Sequence, residues 1–316
     1  MSLAQPKSKP AVFAVIAAGT LLCAVLVFVG PPEDTLLWGA LFDAGHPPTF
    51  GLFAFLILFL LSGLGRWRQG RTVGLYIVVF GVSLGLGVVS ELLQALWSTD
   101  ADPGDVLRDA IGITAFLLCY AAFDRQLCRN MEKQRTRRMG LLLLAGAIFF
   151  SAYIPILATF RAYVKREAAF PVIFDFNASW QQRFLTKDHC DVLTDSRRGL
   201  LIFRPGEYPG ITIEEPYPNW NGWDRLTFQV SSSMPRPVSL VVRIDDAHHN
   251  NEDWDRFNRS FTIKPGDNAI SIPIADVRAA PKTRKFDLAH VRRIFLFVPA
   301  PKESFALEVS EIRLTR

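Results

Sequence analysis

Apolar residues along this chain follow two different rhythms. Up to about residue 160 they come in long unbroken runs, among them Ala11–Gly30, Leu52–Leu61 and Leu141–Phe150. Beyond residue 170 they alternate with polar residues, as in Leu226-Thr-Phe-Gln-Val, Val238-Ser-Leu-Val-Val-Arg-Ile244 and Ile270-Ser-Ile-Pro-Ile274. A helix crosses the hydrocarbon core of a bilayer with about 20 apolar residues. Five segments meet that requirement, at about 11–30, 47–64, 72–94, 107–123 and 139–160. Period-two alternation marks strands with one buried face, and further such runs lie at 172–176, 200–204, 210–215, 293–298 and 305–315. The pattern predicts a membrane α-helical bundle of five transmembrane helices over residues 1–165, then an all-β jelly-roll sandwich without amphipathic helices over 166–316. In the last run Leu307 and Val309 share one phase and Ile312 and Leu314 the other, so a bulge is expected near Ser310–Glu311. Pro265-Gly-Asp-Asn268 reads as a hairpin loop.

Basic residues orient such a bundle, because Lys- and Arg-rich flanks stay in the cytoplasm. Lys7 and Lys9 precede the first span, Arg66, Arg68 and Arg71 follow the second, and Arg125, Arg129, Lys133, Arg135, Arg137 and Arg138 follow the fourth. Segments 31–46 and 95–106 carry none. The N-terminus is therefore expected inside a cytoplasmic (inner) membrane and the β-rich half outside it, as a periplasmic ectodomain. Arg161, Lys165 and Arg166 run against the rule, but long domains cross largely regardless of charge. The first span is expected to be retained, since its apolar run exceeds that of a signal peptide and no small-x-small site follows it.

The mean hydropathy of +0.20 averages over these two solvents. Much of the net charge of +5 sits in span-flanking loops, and no basic patch interleaved with aromatics is present, which excludes nucleic acid as partner. Of the four cysteines only Cys190 lies in the soluble half. That half has no internal disulfide available and has to stand on its core.

Several polar residues fall at one depth near the outer membrane face: Asp43 and His46 before the second span, Glu91 and Gln94 ending the third, Asp105, Arg108 and Asp109 opening the fourth. Helical spacing puts Glu91 with Gln94, and Asp105 with Asp109, on shared faces, with Gly112 one turn deeper. The series Asp43-x-x-His46, Glu91-x-x-Gln94 and Asp105-x-x-x-Asp109-x-x-Gly112 resembles the motifs of VanZ-like membrane proteins over residues 30–125. That family has Asn where Asp109 stands. It commonly carries an Arg between the second and third motifs, where this chain has Ser98-Thr99-Asp100-Ala101-Asp102. The resemblance implies a membrane bundle linked by name to glycopeptide-antibiotic resistance.

Ionisable groups at membrane depth are costly and are paired or functional. Three readings stand. Asp43 and Asp105 cap helices while the others hydrogen-bond the bundle; Asp43, His46, Glu91, Gln94, Asp105 and Asp109 bind a ligand; or His46, Glu91 and Asp109 are the catalytic acid/base candidates. A His among carboxylates also has metal-ligand character, though no metal site is assigned. Gly81, Gly85 and Gly87, with Ser83 and Ser90, offer a small-residue face for packing within the bundle.

In the soluble half, Trp223-Asp-Arg-Leu-Thr-Phe, Leu240-Val-Val-Arg-Ile-Asp-Asp246 and Arg256-Phe-Asn-Arg-Ser-Phe261 resemble galactose-binding-like jelly rolls, a scaffold of carbohydrate-binding modules. The resemblance implies a sugar-binding type of scaffold. Trp180, Trp220, Trp223 and Trp254 are the candidate stacking residues, with core packing as the alternative for each. The loop holding Asp245, Asp246, His248, His249, Glu252, Asp253 and Asp255 reads as solvated, with Asp245 or Asp246 pairing Arg256, and Asp245, Asp246 and Arg256 are also candidate ligand contacts. Structural Ca²⁺ occurs in such folds, yet the sequence locates none and no cofactor is expected.

The reading these features favour is a bacterial cell-envelope membrane protein, non-enzymatic, that contacts membrane lipid and binds a glycan or lipid-linked envelope molecule on the outer side. Its oligomeric state is open. Alternatives are a membrane enzyme acting on a lipid-linked or phosphorylated substrate at the outer leaflet, and a scaffold docking another envelope protein. No nucleophile elbow, phosphate loop or Cys/His zinc spacing accompanies the enzyme alternative.

Overall fold

The computed structural model describes residues 30–63, 72–97, 102–124, 134–195 and 198–316, with Leu127 and isolated positions between 13 and 25. The first predicted span and the loops carrying Arg66, Arg68, Arg71, Arg125, Arg129 and Lys133 lie largely outside the described residues. The chain falls into two compact units, Met1–Leu157 and Ala158–Arg316. Their boundary lies inside a helix, earlier than the residue 165 at which the hydropathy pattern ends the bundle.

The first unit contains helices α1 (Leu36–Asp43), α2 (His46–Gly63), α3 (Thr72–Trp97), α4 (Pro103–Phe123) and α5 (Gln134–Ser151), and helix α6 (Ile154–Ala169) begins in it. Among the described residues, three stretches are long and apolar enough to cross a membrane: Leu36–Ser62, Val73–Leu96 and Pro103–Phe123. Helices α5 and α6 qualify only together, as one broken span. The sequence predicts an unbroken span over 139–160, and Pro155 explains the interruption. Its ring lacks an N–H and clashes with the carbonyl four residues back, so the chain tightens through i→i−3 bonds from Ala152 to Phe149 and from Tyr153 to Phe150.

Local signals set the helix starts. The Thr35 hydroxyl accepts from the Trp38 amide at 3.2 Å ahead of α1. Asp102, followed by Pro103, accepts from the Gly104 amide at 2.8 Å and caps α4. That hydrogen bond holds the Asp102 carboxyl below its ordinary range. The cap of α4 is thus Asp102, not Asp105, which lies within the first turn, and Asp43 ends α1 instead of opening a helix.

Phe50, Ala54, Leu58, Leu75, Val79, Ile113 and Leu117 form the bundle core. Helices α2 and α4 meet backbone to backbone: a Cβ on Gly112 would lie 2.0 Å from the Pro47 carbonyl oxygen. Of the small-residue face expected on α3, Ser83, Gly87 and Ser90 are buried, whereas Gly81 and Gly85 are exposed. An α-helix turns 100° per residue, and burial follows the stripe Leu75, Val79, Ser83, Gly87 and Ser90.

The second unit is a two-sheet antiparallel sandwich. Its strands are β1 (Val172–Phe174), β2 (Leu185–Asp188), β3 (Cys190–Asp195), β4 (Arg198–Phe203), β5 (Gly210–Glu214), β6 (Arg225–Ser232), β7 (Val238–Asp246), β8 (Phe257–Ile263), β9 (Gly266–Pro273), β10 (Val291–Phe297), β11 (Phe305–Val309) and β12 (Ile312–Thr315). One sheet has seven strands in the order β1-β12-β6-β11-β4-β3, with β9 on the other side of β6. The second has five, β2-β5-β10-β7-β8. Inward side chains from both, including Leu201, Phe203, Ile213, Leu226, Leu240, Val242, Ile294 and Leu307, fill one core. Burial of this kind pushes the Cys190 thiol up to about 12.

The bulge forms where the phase change places it. Val309 faces Val230 and Arg313 faces Thr227, so Ser310 and Glu311 together oppose Gln229. The Ser310 hydroxyl accepts from the Gln229 amide at 2.9 Å. Other expectations need correction. Pro265-Gly-Asp-Asn268 is not a hairpin loop: β8 pairs with β7 in the five-stranded sheet, and β9 with β6 in the other. The corner needs Gly266 at φ +86° and is stapled by Asn268, which accepts from the Lys264 amide and donates to the Lys264 carbonyl. Strands β2 and β3 escaped the pattern, β2 because its burial does not alternate. A short helix, α7 (Ile274–Ala279), buries Ile274 and Val277 where none was expected.

Within this unit the end of α6 serves the sandwich. Arg166 donates to the Glu215 carbonyl at 2.9 Å and Tyr163 bonds the Glu215 carboxylate. One of the three basic residues that contradict the orientation rule is therefore engaged by the sandwich.

Candidate functional site

The outer face of the five-stranded sheet carries a groove of about 590 Å³, within the range of small-ligand sites. Strand register builds it. Thr186, Thr212, Phe295, Arg243 and Asn258 stand side by side across the sheet, one from each strand. The next outward row is Asp188, Gly210, Phe297, Val241 and Ser260. Successive outward positions lie about 6.6–6.8 Å apart along a strand, so Phe295 and Phe297 form a short aromatic ladder on β10.

Gly210 makes room for it. A Cβ there would meet the Phe297 Cβ at 2.6 Å and the Leu296 carbonyl oxygen at 2.3 Å. Tyr208, 55% exposed, packs edge-on to Phe297 with centroids 5.6 Å apart. Asp188, Asp253, Arg256 and Asn258 supply polar walls. The result is an apolar, aromatic floor between hydrogen-bonding groups, suited to a neutral polyhydroxylated chain whose ring faces are apolar and whose edges are polar.

The loop flanking the groove is locked from beneath. Arg284 reaches into it and bonds Asp246 at 2.5 and 2.8 Å and Asp255 at 2.6 and 3.1 Å. Both carboxylates are buried. Asp246 also accepts from the Asp287 amide at 2.7 Å, and Asp255 from the Asn250 amide at 3.0 Å. The Arg284 bonds hold Asp255 below the ordinary carboxylate range and raise the guanidinium further still.

The loop is solvated only in part: His248, Glu252 and Asp253 are exposed while Asp245, Asp246 and Asp255 are buried, and Arg256 pairs with neighbouring Asp253 rather than with Asp245 or Asp246. Asp245 is held by Arg243 at 2.6 Å. Buried carboxylates require buried partners, and the ones used here come from the adjacent strand position and from a distant loop. His249 lies between Arg243, at 3.1 Å, and the Asp255 carbonyl, at 3.3 Å, while His248 is exposed and faces Asp287.

None of the four candidate tryptophans lines this groove. Trp220 is wholly buried in the core, its indole donating to the Tyr217 carbonyl at 2.8 Å. Trp223 is half-buried, flanked edge-on by Phe170 and covered by the Arg316 guanidinium at 5.1 Å. Trp180 packs edge-on to Phe184. Trp254 is half-buried and its carbonyl receives the Lys282 amide. Of the ligand-contact candidates read from the sequence, Arg256 lines the groove; Tyr208, Phe295, Phe297 and Arg243 line it too and were not singled out. A signal existed: in Ile294-Phe-Leu-Phe297 both parities are apolar, although only one can face the core.

The polar residues of the helical unit do converge. His46 Nδ1 lies 3.0 Å from Asp109 Oδ1, and Nε2 lies 3.5 Å from Asp105 Oδ2. Arg108 bridges Asp43 at 2.9 Å and Asp102 at 3.1 Å, and binds Asp105 Oδ1. Glu91 accepts from the Asp102 amide at 3.1 Å, with Gln94 half-buried one turn on. His46, Glu91, Asp105 and Asp109 are all buried. The second oxygen of Asp109 would lie 2.4 Å from a Cβ on Gly87, so that glycine admits the carboxylate.

No family model matches the chain. It is 23% identical over 198 residues to Beta-agarase B of Vibrio sp. (strain JT0107), covering 52% of this chain and 20% of that protein. The chain thus spans about a fifth of the curated relative it matches. Among solved structures it is similar to an exo-beta-agarase (15% identity, TM-score 0.36, covering 46% of this chain and 24% of that one). It is also similar to a family 11 carbohydrate-binding module from Clostridium thermocellum in complex with a beta-1,3-1,4-mixed-linked tetrasaccharide (15% identity, TM-score 0.32, 42% and 83%).

Proposed function

We propose that this is a membrane-anchored glycan-binding protein of the cell envelope, whose jelly-roll sandwich holds a polysaccharide in the groove on its five-stranded sheet. The observation that carries the reading is the pair of registered rows that place Phe295 and Phe297 outward on β10, with Tyr208 beside them and charged residues along the rim. The similarity to a beta-agarase supports a galactan of the agarose type as the first ligand class to test. On this reading the groove binds the polysaccharide rather than cleaving it.

In this reading the spans fix the sandwich to a membrane, and the basic flanks of the sequence support an extracytoplasmic side, where such polysaccharides are met. The VanZ-like motif residues belong to the bundle and not to the glycan groove. The test is titration of the full-length protein in detergent with agaro-oligosaccharides and mixed-linked β-glucan oligosaccharides. Saturable binding that Tyr208→Ala weakens supports the proposal. No saturable binding to either series, or binding that Tyr208→Ala leaves intact, overturns it.

A further inference from the structure

We propose that the helical unit holds a divalent cation of the Zn²⁺ class on His46, Glu91 and Asp105, one ligand from each of α2, α3 and α4. One potential ligand atom of each residue lies within 4.8 Å of those of the other two, and all three residues are buried. An ion with metal–ligand distances of about 2.0–2.2 Å closes such a triangle with small side-chain movements.

The surroundings prepare each ligand. His46 Nδ1 faces Asp109 Oδ1 at 3.0 Å, so donating its proton there fixes the tautomer and leaves the Nε2 lone pair on the Asp105 side. Metal-bound imidazoles are commonly oriented by a carboxylate in this way. Asp105 divides its oxygens: Oδ1 binds Arg108, and Oδ2 faces His46 Nε2 at 3.5 Å. Glu91 is 8% exposed, its Oε2 accepts from the Asp102 amide, and its Oε1 has no hydrogen-bond partner among the described residues. A buried carboxylate oxygen left so is one a cation satisfies.

Charge points the same way. Asp43, Glu91, Asp102, Asp105 and Asp109 gather here, and Arg108 is spent on Asp43, Asp102 and the outer oxygen of Asp105. One imidazole with two carboxylates is a borderline donor set, which favours Zn²⁺ over Mg²⁺ or Ca²⁺ with their all-oxygen shells. Three protein ligands leave the fourth position of a tetrahedral ion to water.

The test uses full-length protein in detergent, assayed for metal by mass spectrometry, then stripped with a chelator and titrated with Zn²⁺ or Co²⁺. One equivalent per chain is expected, with Co²⁺ giving visible ligand-field bands. Glu91→Gln and His46→Gln should abolish stoichiometric uptake, Asp109→Asn should weaken it about 10–100-fold, and Asp191→Asn in the sandwich should retain it. Stripped wild-type protein that takes up no equivalent and shows no Co²⁺ bands overturns the proposal, as does uptake unchanged in both ligand variants. Should those variants fail to reach the membrane, the wild-type titration decides alone.

Discussion

Arg243 sits over Phe295, its guanidinium carbon 4.4 Å from the ring centroid, while its Nε and one terminal nitrogen clasp Asp245 at 2.8 and 2.6 Å. A planar cation gripped by a buried carboxylate cannot swing aside. Phe295 is thus shielded on that side, and the open aromatic surface of the groove is that of Phe297 and Tyr208. Arg243 itself lines the groove.

Arg243→Lys therefore tests shape rather than charge. Lysine keeps the positive charge but loses the planar fork and the stacked face. The expected outcome is glycan affinity lowered by about tenfold, equivalent to roughly 1.4 kcal/mol, read by calorimetric titration. Arg243→Lys binding as tightly as wild type would remove Arg243 from the recognition surface.

Arg284 tests the support of the groove wall. Replacing it by Met leaves Asp246 and Asp255 buried without their partner. Removing one side of a buried ion pair costs about 3–5 kcal/mol. Denaturant unfolding of the sandwich should show that loss, with glycan binding impaired because Asp253 and Arg256 ride on the same loop.

The acid limb of stability follows from the same contacts. Asp255 is held below its ordinary value of 3.8 by Arg284 and Asp287 by His290, so both titrate lower folded than unfolded. Their contribution is complete above the unfolded value and disappears as pH falls through the folded one, because the unfolded chain takes up protons first. Unfolding followed from neutral pH to about pH 3 should show stability falling at the acid end, with a shallower fall in Arg284→Met.

Membrane orientation rests on the basic flanks. An alkaline phosphatase fused after Arg316 should be active, and a fluorescent protein that matures only in the cytoplasm should be dark. The reverse result would put the sandwich on the cytoplasmic side and remove its access to envelope polysaccharides.

How much of this was legible depended on the distance over which each fact is decided. Strands with one buried face announce themselves by alternation, and the phase change at Ser310–Glu311 gave the bulge to the residue. Partner choice was not legible. Asp246 meets an arginine 38 residues away, while Arg256, the nearer cation, turns to Asp253. Trp220 and Tyr208 are both large aromatics within two residues of a proline in the sequence, yet one is sealed in the core and the other is half in solvent. In the bundle, motif spacing brought His46, Glu91, Asp105 and Asp109 to one level, but their mutual distances needed the close approach that Gly112 and Gly87 allow.

The most direct measurement is calorimetric titration of a series of agaro-oligosaccharides into full-length wild type, Tyr208→Ala and Phe297→Ala, each shown to be folded by its melting transition. Removing an aromatic that buries its face against a ligand forfeits about 1.5–3 kcal/mol. Affinity in both variants should then fall at least about tenfold with melting largely unchanged for Tyr208→Ala. Oligosaccharides that bind all three proteins equally, or none, would contradict a glycan seated on the face of the five-stranded sheet.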